Sequence, residues 1–133
     1  MSSIRVLVVD DALIARSALK ILLEEQGCNV VTANNGREAI DEFDGSFDLI
    51  FMDYLMPEMN GDKSAEMIRQ KEKGIGNKKS VYIVGLSAHN SEEINQRCLD
   101  AGINQILEKP IHPEVLKKIL SIFGPTELTP IQR

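Results

Sequence analysis

The feature that most constrains this chain is a repeated change of period. Short β-rich apolar runs alternate with segments whose apolar residues recur at helical spacing. Ile4-Arg5-Val6-Leu7-Val8-Val9 is one such run, and it ends abruptly at Asp10-Asp11. Leu13, Ile14, Ala18, Leu19, Leu22 and Leu23 then follow a helix period that Gly27 stops. Asn29 to Ala33 reads as a second strand and Gly36 to Phe43 as a short helix carrying Ala39, Ile40 and Phe43. Phe47 to Met52 predicts a third strand ending at Asp53; Pro57 and Gly61 punctuate a loop; Asp62 to Lys73 predicts a helix. A turn over Gly74-Ile75-Gly76-Asn77 leads to a fourth strand, Val81 to Leu86, ending at Ser87. Ser91 is an N-cap for a helix with Ile94, Cys98 and Leu99, closed by Gly102. Ile103 to Leu107 forms the fifth strand, ending at Glu108-Lys109-Pro110. Pro113 opens a last helix with Val115, Leu116, Ile119, Leu120 and Phe123 on one side.

Five strands alternating with five helices imply right-handed crossovers and a parallel sheet. The expected class is α/β: a doubly wound (βα)5 sheet in the flavodoxin-like order 2-1-3-4-5. The first, third and fourth runs are nearly continuous in apolar residues, as befits strands covered on both faces. A chain of 133 residues has room for a single ordinary domain. Residues 1–124 are assigned to it, and Pro125 to Arg133, with two prolines, to a tail or the start of a linker.

A formal net charge of -5 argues against direct contact with nucleic acid or anionic lipid, either of which would want a basic face. No apolar stretch is long enough to span a bilayer, and the N-terminus lacks a signal-peptide pattern. A cytoplasmic location without membrane contact is the expectation. Cys28 and Cys98 lie far apart with no metal-ligand spacing and read as reduced thiols.

Ligands of such sheets sit outside the carboxyl ends of the strands, where the order reverses between strands 1 and 3. Strand 1 ends in Asp10-Asp11, strand 3 in Asp53, strand 4 in Ser87 and strand 5 in Lys109. Three carboxylates, a hydroxyl and an ammonium therefore converge on one rim. Two unit charges about 4 Å apart repel by on the order of 4 kcal/mol at an effective dielectric of 20. Either some carboxyls hold protons or a cation sits among them. A hard divalent ion suits oxygen ligands; Mg²⁺ takes one or two carboxylates, keeps waters and recruits phosphate oxygens. Lys109 is a compact charge suited to a phosphoryl oxygen, and Ser87 can donate to another. The set describes phosphoryl transfer to a carboxylate nucleophile that is already ionised at neutral pH. Taken singly, each residue also has a plain reading: Asp10 or Asp11 as a helix cap, Asp53 as a turn residue, Ser87 and Lys109 as solvated loop residues.

These residues resemble response-regulator receiver domains, the CheY-like fold of two-component signalling, over nearly the whole chain from about Ile4 to Phe123. The resemblance rests on Asp10-Asp11, on Met52-Asp53-Tyr54-Leu55-Met56-Pro57-Glu58-Met59-Asn60-Gly61, on Leu86-Ser87-Ala88 and on Lys109-Pro110. It implies that Asp53 is the phospho-acceptor. Asp11 would be the direct ligand of Mg²⁺ (or Mn²⁺), Asp10 one acting largely through water, and the Leu55 backbone carbonyl would complete the set. Ser87 would swing toward the phosphoryl group, and Lys109 would grip one of its oxygens, aimed by a cis peptide before Pro110. The donor would be a phosphohistidine on a histidine kinase or histidine phosphotransfer protein, and the readout an output domain or downstream protein. Gly85-Leu86-Ser87-Ala88 and Ala101-Gly102-Ile103-Asn104 resemble receivers within hybrid sensor kinases. One position departs from the family: Ile106 stands where many receivers carry a switching Tyr or Phe, and a β-branched residue there is stiff. Leu55 and His89 occupy positions where the family tunes hydrolysis of the acyl phosphate, and His112 reads as a helix-start residue.

Two other classes remain open from sequence. A pseudo-receiver would have lost an acidic residue or the lysine, and all are present. An aspartate-nucleophile phosphatase would use a similar rim, but this chain is short for the usual cap domain. Gly74-Ile75-Gly76 is no dinucleotide fingerprint, because it follows a helix and opens none.

Overall fold

A computed structural model describes residues 3–76, 79–89 and 91–123. Its elements are β1 (Arg5–Val9), α1 (Leu13–Glu25), β2 (Asn29–Ala33), α2 (Gly36–Glu42), β3 (Leu49–Asp53), α3 (Gly61–Gly74), β4 (Tyr82–Ser87), α4 (Glu92–Asp100), β5 (Gln105–Glu108) and α5 (Pro113–Phe123). All pairings are parallel and the order is β2-β1-β3-β4-β5. The doubly wound sheet read from the sequence is therefore the fold observed. The segment assigned to a tail, Pro125 to Arg133, lies outside the described residues, as does Asn77 of the turn after α3.

Strand residues alternate between two cores, since successive side chains point to opposite faces. Val6 and Val8 of β1, Leu49 and Phe51 of β3, and Val84 and Leu86 of β4 pack with Leu19 and Leu23 of α1 and with Leu116, Ile119 and Leu120 of α5. Leu7, Val9, Ile50, Met52 and Ile83 face the other way, against Ala39 of α2 and Phe43 just past its end, Ala65 and Ile68 of α3, and Cys98 of α4. β3 is buried at every position, as a central strand covered on both faces must be.

Several boundaries differ from the apolar pattern, α3 beginning at Gly61 rather than Asp62 among them, and three strand starts do so for a local reason. β3 starts at Leu49 rather than Phe47, because Phe47 is drawn aside: its ring lies 6.5 Å from that of Phe43, and Arg5 stacks over it at 4.7 Å. β4 starts after Val81, whose N–H donates to Glu72 Oε2 at 2.6 Å and whose carbonyl accepts from Arg69. β5 starts at Gln105 rather than Ile103, because the Asn104 side chain accepts the Ile83 N–H at 2.8 Å in place of a strand partner. Helix ends follow the sequence more closely. Ser91 accepts from Ile94 N at 3.3 Å as the N-cap of α4, and the His112 carbonyl accepts from Leu116 N at 3.0 Å in the first turn of α5. Gly27 and Gly102 take φ of 88° and 104°, the left-handed conformation that ends a helix at low cost for glycine.

Candidate functional site

β1 and β3 are neighbours in register, Val9 opposite Met52, so the residues that follow them emerge side by side. Asp10 and Asp53 are 4% and 6% exposed, whereas Asp11 is exposed. One carboxylate oxygen from each of the three lies within 4.8 Å of the others. Neither acid caps the first helix: its N-cap is Ala12, with no side-chain cap bond. Asp10 instead turns one oxygen onto Ala12 N at 2.9 Å and the other onto Lys109.

Lys109 follows β5 and reaches back over the rim. Its Nζ is 3.1 Å from Asp10 Oδ2 and 3.4 Å from Asp53 Oδ1. The Lys109–Pro110 peptide is cis. One ammonium is thus shared by two buried carboxylates with a third beside them. Burial, reinforced by the Asp10 charge and only partly offset by Lys109, pushes the Asp53 carboxyl up from 3.8 to about 6. Burial would lower Lys109, but its hydrogen bond to Asp10 and the charges of Asp53 and Asp10 outweigh that and raise it. The donor set is all oxygen and carries excess negative charge, which fits a hard divalent cation.

Ser87 ends β4 with its hydroxyl closed on its own loop: Oγ donates to the His89 carbonyl at 2.6 Å and accepts from His89 N at 3.2 Å. Leu55 is 71% exposed and borders a cleft of about 240 Å³ with Asp53, Ser87, His89, Ile94 and Lys109. Ile106 is half-buried against the core under α4 and lines, with Ser87 and His89, a separate hollow of about 60 Å³. The structure therefore gathers Asp10, Asp11, Asp53 and Lys109 at one point, sets Ser87 and Leu55 on the same cleft, and leaves Ile106 in the wall behind Ser87. Sequence reading missed Arg16, whose Nη1 donates to the Asp10 carbonyl at 2.8 Å and braces the acidic turn from α1. An arginine in the first helix, within two turns of an acidic pair, was the available signal.

A model of the response regulator receiver domain matches residues 6–121 of the chain. The chain belongs to this family. The receiver is 38% identical over 122 residues to hybrid signal transduction histidine kinase A of Dictyostelium discoideum, covering 90% of this chain and 6% of that protein. It therefore spans a small part of that relative's length. Among solved structures, it superposes with TM-score 0.84 and 32% identity on the co-crystal structure of the Saccharomyces cerevisiae histidine phosphotransfer signalling protein Ypd1 and the receiver domain of its downstream response regulator Ssk1, covering 94% of this chain and 91% of that one. It also matches the receiver domain of the histidine kinase CKI1 from Arabidopsis thaliana complexed with Mg²⁺ and BeF₃⁻, at TM-score 0.75 and 33% identity over 88% of this chain and 89% of that chain. Among the described residues, no helix of the receiver is long and apolar enough to cross a membrane.

Proposed function

We propose that this receiver takes a phosphoryl group onto Asp53 from a phosphohistidine on a histidine kinase or histidine phosphotransfer protein. An Asp53 carboxylate oxygen attacks phosphorus, a P–O bond forms, the P–N bond breaks, and the imidazole nitrogen leaves with the electron pair. The observation that carries this reading is the charge imbalance at the rim, where three carboxylates lie within 4.8 Å of one another and the Lys109 ammonium meets two of them, Asp10 and Asp53. Asp11, Asp53, Asp10 and the Leu55 carbonyl are the proposed holders of Mg²⁺ or Mn²⁺. When bound, that ion neutralises the carboxylates and the phosphoryl oxygens. Lys109 is already placed against Asp53 and needs little movement to meet a phosphoryl oxygen on it. Ser87 leaves His89 and donates to another oxygen, which frees the loop after β4. That shift changes the surface near α4 and β5 and hence the affinity for an output domain or downstream protein. Slow hydrolysis of the acyl phosphate resets the domain in the cytoplasm. Ile106 packs as a stiff apolar residue, so readout runs through Ser87 and its loop rather than an aromatic rotamer. Residues 1–124 act as the receiver unit and 125–133 as a tail or linker start.

The test is intact-mass measurement after incubation with acetyl phosphate, with and without Mg²⁺. The expected result is a Mg²⁺-dependent gain of about 80 Da, one phosphoryl group, that is lost in Asp53→Asn. No adduct would leave a binding module that exchanges no phosphate. Sustained turnover of a generic phosphate ester would point to a phosphatase instead.

A further inference from the structure

We propose that Gly61 is a positioning residue for the acceptor: a first residue of α3 without a side chain lets that helix seat directly on the main chain of Asp53, and this seat fixes where the carboxylate stands. The inference deepens the reading above and rests on Asp53 being the acceptor.

Three observations carry it. A Cβ at position 61 would lie 2.4 Å from the Asp53 carbonyl oxygen, 3.0 Å from Met52 Cγ and 3.1 Å from Tyr54 Cα. Two of these neighbours are backbone of the acceptor's own strand end and cannot rotate away. Gly61 is not among the glycines with positive φ, so its conformation is open to other residues and the demand here is for space. Its N–H donates to the Tyr54 carbonyl at 2.7 Å, while Tyr54 N donates to Leu86 O at 2.8 Å. The residue after the acceptor is thus clamped between the start of α3 and the end of β4. Gly74, the glycine at the other end of the same helix, has nothing within 4 Å of a would-be Cβ.

Adding one methyl at 61 would force the Asp53 contact open from 2.4 Å to at least 3.0 Å. Reactive constellations hold their geometry within about 0.5 Å. Displacement on the ångström scale lowers rates by about a hundredfold. The methyl is therefore expected to disturb the acceptor while leaving the helix largely intact.

The experiment compares wild type, Gly61→Ala, Gly74→Ala and Asp53→Asn for the initial rate of labelling by acetyl phosphate in Mg²⁺, with far-UV circular dichroism on each. Gly61→Ala is expected to keep wild-type helix content and to label at least tenfold more slowly, and Gly74→Ala to label at the wild-type rate. In the unsubstituted chain, the Gly61 amide resonance is expected to shift as Mg²⁺ is added, and the Gly74 amide to stay in place. Labelling lost in Asp53→Asn but unchanged in Gly61→Ala overturns this inference alone. Labelling that persists in Asp53→Asn overturns the acceptor reading and this inference with it. Should Gly61→Ala fail to fold, the Mg²⁺ titration decides, and a Gly61 amide that does not move overturns the proposal.

Discussion

Glu72 and Asp53 are both buried carboxylates, at opposite ends of the same sheet. Near the amino ends of the strands, Glu72 Oε1 accepts from Arg69 Nη1 at 2.9 Å and Oε2 from Val81 N at 2.6 Å. Arg69 in turn donates to the carbonyls of Val81 and Gly102 and to Asn104 Oδ1. Charge is balanced there, and each carboxylate oxygen has a donor. At the carboxyl ends, Asp53 shares Lys109 with Asp10 while Asp11 adds a third negative charge. A buried ion pair with complete hydrogen bonding serves the fold, whereas an excess of buried like charge is a standing cost that a bound cation relieves. The contrast separates the end of the sheet that holds the molecule together from the end proposed to carry its chemistry.

Removing Arg69 gives the largest expected effect. Arg69→Ala leaves Glu72 buried without its partner and strips donors from Gly102 and Asn104, which is expected to destabilise the fold by about 3–5 kcal/mol. Urea denaturation measures the loss. Labelling per folded molecule should not change, because the rim is untouched. A large fall in labelling by folded Arg69→Ala would erase the distinction between the two ends.

Lys109→Met tests the opposite end, with an expected fall in labelling of about a hundredfold, the effect of deleting one preorganised charge donor from a reacting oxygen. Mg²⁺ should bind this variant more tightly than wild type, since an ammonium no longer competes for Asp10 and Asp53. Calorimetric titration with Mg²⁺ reads this directly. Weaker Mg²⁺ binding in Lys109→Met would show that the lysine organises the acids rather than competing for them.

The pH dependence of stability sharpens the same point more gently. Asp53 holds its proton more tightly in the fold, at about 6, than the ordinary 3.8. The stability linked to this proton is fully present below the unfolded value and is lost as pH rises through about 6. Without divalent cation, the wild-type thermal midpoint relative to that of Asp53→Asn should therefore rise as pH drops from neutral toward 5. Saturating Mg²⁺ should flatten the difference. A relative midpoint that falls with acid would mean that Asp53 is stabilised as the anion.

Much of the rim was legible because a parallel sheet converts chain order into position. Once Val9, Met52, Leu86 and Leu107 were read as strand residues, Asp10, Asp53, Ser87 and Lys109 had to lie at one edge. The turn of Asp10 onto Ala12 N and the brace from Arg16 were not legible, since each depends on a side-chain rotamer rather than on periodicity. Nor was the Arg69–Glu72 clasp: both residues sit on α3 in a charged sequence that reads as a solvated face, and only the fold brings Val81 and Asn104 beneath them. The starts of β4 and β5 were misplaced for the same reason, with a side-chain acceptor from Glu72 taking the Val81 N–H just before β4 and one from Asn104 taking the Ile83 N–H within it. Apolar periodicity locates a core, but polar substitution of the ladder leaves no periodic trace.

The smallest expected effect concerns how long the acyl phosphate lasts. Hydrolysis needs a water aligned with the bond to be broken, and a side chain that orients that water speeds the step. Leu55 is 71% exposed and stands on the cleft beside Asp53, Ser87 and His89. It offers no hydrogen bond and fills space through which water approaches. Leu55→Asn replaces that bulk with an amide able to hold a water, and the phosphoryl lifetime is expected to shorten roughly fivefold, the effect of one hydrogen bond of about 1 kcal/mol. Decay of the phosphorylated mass after removal of the donor measures it. Because Leu55 buries little of its surface, the substitution should leave the thermal midpoint nearly unchanged. A lifetime that is equal or longer would show that water reaches phosphorus from another side, and would move the control of hydrolysis to His89 on the facing loop.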